Sequence, residues 1–266
     1  MKNLIDLHTH TTLSGHAYST LGEMVGAAKA KGLTYLAVTE HGPTMPGSCT
    51  DMYFSNYRTV ERDYFGIRLL LGCEVNINDS RGTLDLNEHL LSQQDICLAA
   101  LHKPTFFEEP TLAANTAGVL GALASPYIHV LAHPDDSQFP LDYDQVIAAC
   151  KEYDVIVEVN NATFSDWSFR LNGRENAAVY LDLCKKYQVP VILNSDAHFE
   201  SKVGRIDYAL DVVLENKVPD ELILNDKPAL LIDILNRKRK RWGLPLVFPE
   251  PAADELRPIS IMKKEA

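Results

Sequence analysis

The chain of 266 residues has no CxxC pair among its five cysteines and no excess of basic charge. It also has no apolar run long enough to cross a bilayer. Cys49, Cys73, Cys97, Cys150 and Cys184 are odd in number and mostly set in apolar segments. That pattern does not resemble a disulfide framework and predicts reduced core residues. Met1-Lys2-Asn3 runs straight into an apolar strand, without the h-region of a signal peptide. The expectation is a soluble cytoplasmic protein with no membrane partner. Lys and Arg number 25 against 36 Asp and Glu, a formal net charge of -11. Such a balance disfavours long nucleic acid as a ligand, while bound cations would invert the sign locally and admit an anionic substrate. No linker, repeat or low-complexity tract interrupts the chain. One domain over residues 1–247 is therefore expected, with 248–266 as a partly disordered tail.

What is present is a repeated pairing of apolar strand and amphipathic helix. Strands are predicted at residues 4–10, 34–39, 68–75, 96–101, 127–132, 155–159 and 189–194. Helical spacing follows Thr20-Leu21-Gly22-Glu23, which has the form of a capping box, and recurs over 144–153 and 175–187. Near-continuous apolar strands alternating with helices indicate a parallel sheet covered on both faces. Because every strand delivers polar residues at its carboxyl end, a closed barrel is favoured over an open sheet, which would gather its chemistry at one crevice. On the first strand, alternation places Asp6, His8 and His10 on one face and Ile5 and Leu7 on the other, the latter against helices. Residues 44–56 read as a long loop over the site. The cationic run Arg237-Lys238-Arg239-Lys240-Arg241 reads as the solvated end of a helix, where cations complement the dipole.

Seven of the nine histidines fall at or just after strand ends; His89 and His129 do not. With two carboxylates they form a candidate ligand set of His8, His10, His16, His41, Glu74, His102, His133, Asp196 and His198. A lone histidine is usually structural, but nine nitrogen and oxygen donors converging on one rim are not a chance product. A closed structural zinc site needs only four ligands. Nine imply more than one metal, and donors without sulfur suit zinc, manganese or iron.

The motifs Asp6-Leu7-His8-Thr9-His10-Thr11, His16, Thr39-Glu40-His41-Gly42-Pro43, Gly72-Cys73-Glu74, His102, His133-Pro134 and Ser195-Asp196-Ala197-His198 together resemble the polymerase and histidinol phosphatase (PHP) family. Within it the chain is similar to the small bacterial YcdX-type phosphatases, to which His16-Ala17-Tyr18-Ser19-Thr20-Leu21 and Val159-Asn160-Asn161 also point. The resemblance implies a distorted (βα)7, TIM-barrel-like α/β fold with its active site on the carboxyl-end rim. It also implies three divalent metal ions, zinc in the first place, with manganese or iron as alternatives. By position, His8, His10, Glu74 and Asp196 would hold one metal, His16, His41 and His198 a second, and Glu74 with His102 and His133 a third. Asp6 would accept a hydrogen bond from a ligand histidine. Glu40 stands where the family often has Asp, and Lys103 where relatives carry an acid; both bear on substrate preference.

The implied activity is hydrolysis of a small phosphomonoester by metal-activated hydroxide, with Asp196, Glu74 and His198 as catalytic residues. Arg170, Arg174 and Lys103 are candidate phosphate clamps, and Tyr18 and Asn161 candidate pocket residues. The partner is then a small phosphorylated metabolite, with further copies of the same chain compatible. Histidinol phosphate, or a nucleotide 3′-phosphatase or nuclease activity, are the nearest alternatives. An amidohydrolase lacks counterparts of His16, His41 and Glu74, and a non-catalytic metal-stabilised module would not need the full ligand set.

Overall fold

The computed structural model describes residues 2–248. Its sheet runs β1 (Ile5–Asp6), β2 (Tyr35–His41), β4 (Ile67–Asn76), β5 (Ile96–Ala100), β6 (Val130–Leu131), β7 (Ile156–Asn160) and β8 (Val191–Asn194), all parallel and each beside its predecessor. A short β3 (Asp63–Tyr64) pairs antiparallel with the start of β4, a hairpin that the sequence reading did not anticipate. Helices alternate with the strands: α1 (Leu21–Ala30), α2 (Asp51–Ser55), α3 (Glu88–Gln93), α4 (Leu112–Leu123), α5 (Tyr143–Glu152), α6 (Gly173–Tyr187), α7 (Asp207–Glu215) and α8 (Pro228–Arg241). The fold is the expected distorted (βα)7 barrel. The capping box of α1 is formed, with Glu23 and Thr20 satisfying one another's backbone N–H groups.

The barrel interior is filled from every strand in turn. Ile5, Ala37, Leu70, Leu98, Val130, Ile156 and Ile192 form one buried cluster, closed at the amino end by Leu231, Ile234 and Leu235 of α8. Each large side chain so buried contributes roughly 1.5–3 kcal/mol. The alternate residues of the same strands, such as Leu69, Leu71, Cys97, Val157 and Leu193, pack outward under the helices. Close strand approach needs Gly72, where a Cβ would lie 1.8 Å from the carbonyl oxygen of Ile96.

Closure between β1 and β8 uses asparagine side chains together with one backbone bridge beyond the strands, Thr9 to Ala197, in place of a continuous ladder. Asn194 Oδ1 accepts the Leu7 N–H at 2.9 Å. Asn225 accepts the Leu193 N–H at 2.9 Å and donates to the carbonyls of Leu193 at 2.8 Å and Ile5 at 3.3 Å. The amide side chain thus supplies the donor and acceptor of a missing strand residue.

Several expectations are corrected. β1 spans two residues, not seven, and β6 two, not six. Ile5 and Leu7 point into the barrel with Leu70 and Ile192, not toward the helices. Asp6 faces away, accepting backbone N–H bonds from Ser195 at 3.1 Å, Gly204 at 2.7 Å and His8 at 3.4 Å, while the imidazole of His8 turns to Glu158 instead. Alternation holds through Leu7 and breaks at His8, whose imidazole turns inward to Glu74 and Glu158. Residues 51–55 of the supposed loop form α2. Within the cationic run, Lys238 and Arg239 are buried, not solvated. Arg239 donates to the carbonyls of Gln94 at 2.9 Å and Ser92 at 3.3 Å, tying α8 to the end of α3. Of the expected tail, Phe248 packs its ring under the Arg68 guanidinium at 4.0 Å; the remainder lies outside the described residues. All five cysteines are buried and free.

Candidate metal centre

Every strand of the barrel ends near one point above the apolar interior. On β4, Leu70, Gly72, Glu74 and Asn76 share the inward face; on β7, Ile156, Glu158 and Asn160 do so. The apolar layer therefore gives way to carboxylate and amide within two to four residues. His41 ends β2 directly opposite Glu74. His133 and Asp196, just past β6 and β8, have φ of 28° and 52°, in the left-handed region that costs a non-glycine residue about 1–3 kcal/mol. These turns re-aim two side chains that a continued strand would carry elsewhere.

Glu74 sits at the centre. Its Oε1 lies 2.8 Å from His133 Nε2 and 3.3 Å from His102 Nε2. Its Oε2 lies 2.7 Å from His41 Nδ1, 3.3 Å from His8 Nε2 and 3.5 Å from His10 Nε2. Asp196 Oδ1 approaches His10 Nε2 at 3.4 Å and His8 Nε2 at 3.5 Å. His198 stacks near His10 and His16, and His16 Nε2 is 3.3 Å from His41 Nε2. The structure thus brings together all nine candidate ligands. Four triads, His10–His41–His198, His8–Glu74–His133, His8–His10–Asp196 and His41–Glu74–His102, have donor atoms within 4.8 Å of one another.

The outward ring nitrogens are fixed by neighbours that can act in only one way. His8 Nδ1 donates to Glu158 Oε1 at 2.7 Å. Ser14 gives its proton to Glu40 Oε2 at 2.6 Å, so its Oγ must accept from His10 Nδ1 at 3.0 Å. Asn76 gives its amide protons to Asp85 at 2.6 Å and Gly42 O at 3.4 Å, so its Oδ1 accepts from His102 Nδ1 at 2.7 Å. The carbonyl of Asp196 accepts from His198 Nδ1 at 3.0 Å. Four imidazoles therefore commit Nδ1 to an outer partner and direct Nε2 at the cluster, the atom a metal would take.

The electrostatics agree. Burial alone would raise Glu74, but His8, His102 and His41 hold its carboxyl well below the usual range. Asp196 is likewise held low against burial, by His8, His10 and Arg170. Burial opposes protonation of His8, yet Glu158, Glu74 and Asp196 lift its basicity well above normal. Burial and the neighbouring His41 and His198 depress His10 strongly and His16 to about 4. Glu74 Oε2 and His41 Nδ1, though 2.7 Å apart, lack hydrogen-bond geometry toward each other or any other buried group. Ionised carboxylates, bare imidazole nitrogens and unpartnered atoms converging on one volume fit divalent cations, and hard or borderline ones in the absence of thiolate.

The cluster floors a cleft of about 840 Å³. Arg170 lines it, donating to Asp196 Oδ2 at 3.2 Å, Thr163 Oγ1 at 3.2 Å and Asn160 Oδ1 at 3.3 Å. Lys103, Tyr18 and Asn161 also line it, although Asn161 spends its Oδ1 on the N–H of Ala209 in α7. Arg174 is not brought to the cleft: it pairs with Glu215 at 2.8 Å on the outer surface. From residues 44–56 only Met45 reaches the cleft, whereas Trp167, Ser168, Phe169 and Arg170 form much of its wall. The sequence reading missed Glu158, whose signal was a charge inside the apolar run Val155–Val159, and Asn76, two residues beyond Glu74. It also missed Lys202 and Arg205 on the cleft wall.

Comparison with known proteins agrees with this architecture. The PHP domain family matches residues 6–222. A "Probable phosphatase" of Caldicellulosiruptor bescii is 39% identical over 231 residues, 87% of this chain and 95% of its own. One of Clostridium novyi is 38% identical over 240 residues, 90% of this chain and 97% of its own. A histidinol phosphate phosphatase from Lactococcus lactis, solved with zinc, L-histidinol and phosphate, superposes with a TM-score of 0.57 at 16% identity, covering 82% of this chain and 95% of that one. The chain belongs to the PHP family, and with such relatives it is a metal-dependent phosphatase.

Proposed function

From membership of that family, we propose that the protein hydrolyses a small phosphomonoester at a three-metal site built from these nine side chains. His8, His10, Glu74 and Asp196 hold one cation, His16, His41 and His198 a second, and His102, His133 and Glu74 the third. The observation that carries this reading is the division of Glu74: one oxygen faces His102 and His133, the other His8, His10 and His41. A carboxylate offers two donor oxygens on one side chain, one for each face.

Divalent cations held there, zinc in the first place, supply Lewis acidity toward phosphate oxygens and toward water, whose pKa they depress from about 15.7 toward 7. The chain's own residues do the rest. Glu158, Ser14 and Asn76 hold three imidazoles in one tautomer, so the ligands need no reorganisation when substrate arrives. Arg170, held on Asp196 Oδ2, presents a fixed guanidinium at the mouth of the cluster, where a phosphoryl group gathers negative charge. Lys103 adds an exposed cation on the cleft wall. Ionised Asp196 and Glu74 are the available proton acceptors, and His198 orients on the Asp196 carbonyl beside them.

The test is metal content and turnover in parallel. Wild type should carry three divalent ions per chain and cleave 4-nitrophenyl phosphate. Glu74→Ala should lose at least two ions and, with several kcal/mol of charge stabilisation gone, about 10³-fold in kcat/KM. His198→Ala should lose one ion and keep less activity than its metal content alone predicts. Turnover by fully chelated protein would defeat the proposal.

A further inference from the structure

A metal cluster needs only a phosphate group, yet the wall of the cleft above it carries several aromatic side chains. Trp167 and Phe169, between β7 and α6, are 62% and 73% exposed, and Phe199 is 44% exposed; all three line the cleft. Large apolar side chains held open to solvent in a concave site mark a ligand surface more than a fold requirement. Their placement is tied to the chemistry. The Arg170 guanidinium that donates to Asp196 lies 5.4 Å from the Phe169 ring centre. Phe199 directly follows His198. The Phe169 ring thus neighbours the guanidinium that is bonded to the cluster.

The cations of the wall add a second requirement. Lys202 and Lys103 line the cleft and, among the described residues, neither has a carboxylate within ion-pair distance. Lys202 Nζ lies instead 5.8 Å from the Trp167 ring centre. On a chain of net charge -11, unpaired lysines beside exposed aromatic rings favour a ligand that is both flat and negatively charged away from its ester.

We propose that the substrate is a phosphomonoester with a planar aromatic ester group bearing a further anionic group, its ring lying between Trp167, Phe169 and Phe199 and its second charge meeting Lys202. This rests on the phosphatase reading above. The phosphate goes to the cluster, the ring covers the exposed aromatic walls, and offset or edge contacts select flat groups over flexible alkyl ones.

The experiment compares propyl, benzyl and 4-carboxybenzyl phosphate with the metal-loaded enzyme, since their leaving alcohols are of similar acidity. The expected order of kcat/KM is 4-carboxybenzyl over benzyl over propyl, by about tenfold at each step. Trp167→Ala and Phe169→Ala should shrink the benzyl-to-propyl ratio, and Lys202→Ala only the carboxybenzyl-to-benzyl ratio. Independently of turnover, 4-(phosphonomethyl)benzoate should quench tryptophan fluorescence in wild type but not in Trp167→Phe. Equal kcat/KM for all three esters, or no quenching, overturns the inference while hydrolysis of any ester leaves the phosphatase reading standing. Hydrolysis of none overturns both.

Discussion

At the carboxyl rim of the barrel, Glu74 Oε2 and His41 Nδ1 are buried without hydrogen-bond partners; toward the amino end, His129 Nε2 and Lys238 Nζ are as well. Both ends therefore bury histidine and leave polar atoms unanswered, but the chemistry is opposite. At the rim, lone pairs and ionised carboxylates face one another, so a single class of guest, a cation, satisfies all of them. At the amino end, His129 Nδ1 accepts the Cys97 N–H at 3.1 Å, which leaves the proton on Nε2. His129 Nε2 and Lys238 Nζ are thus both donors, and no carboxylate pairs with them among the described residues. Burial drives His129 well below its ordinary value and Lys238 down to about 8. Unsatisfied polar atoms mark a binding site only where their characters complement one ion. Where they are alike, they are a cost carried by the fold.

The sharpest way to break this comparison is at Glu158, which joins the rim to the barrel interior. It accepts from His8 Nδ1 at 2.7 Å and from the His133 N–H at 2.7 Å. Glu158→Gln keeps the shape and removes the charge, and should weaken metal binding about 10–100-fold in a chelator competition. Unchanged affinity would mean that the rim does not depend on its outer partners.

At the other end, Lys238→Met should leave kcat/KM unaltered and raise stability by about 1–3 kcal/mol near neutral pH, by removing an unsatisfied buried amine. The sign of its pH dependence follows from the depressed value. Between about 8 and the ordinary 10.5, the unfolded chain holds more protons at this residue than the folded one. Wild-type stability should therefore gain with rising pH across that window relative to Lys238→Met, and the gap between them should narrow. Urea unfolding of both proteins at pH 7.5 and 9.5 reads this; a constant gap contradicts it.

The smallest effect is expected at Arg174, which is paired with Glu215 on the outer surface. Arg174→Ala should change kcat/KM by less than about twofold and stability by at most about 1 kcal/mol. A tenfold loss of activity would place the outer surface in the chemistry after all.

Much of this was readable in order along the chain. Apolar strands alternating with amphipathic helices, each strand closing on a polar residue, determine a parallel barrel with its chemistry on one rim, because period-2 and period-3.6 patterns commit each segment locally. The nine donors were legible for the same reason, since strand ends are local features. What surrounds them was not. The resemblance implies that Asp6 takes a ligand imidazole; its carboxylate faces Ser195 and Gly204 instead, and Glu158, 150 residues from His8, takes that imidazole. Lys238 and Arg239 read as solvated charge, and only the docking of α8 on the barrel buries them. Arg170 and Arg174 look alike in sequence, yet the turn before α6 sends one to Asp196 and the other outward. Which residue types meet is a property of short stretches of chain. Which partner fixes each tautomer, and which cation faces the cleft, depends on contacts between segments far apart in sequence, and those exist only once the barrel has closed.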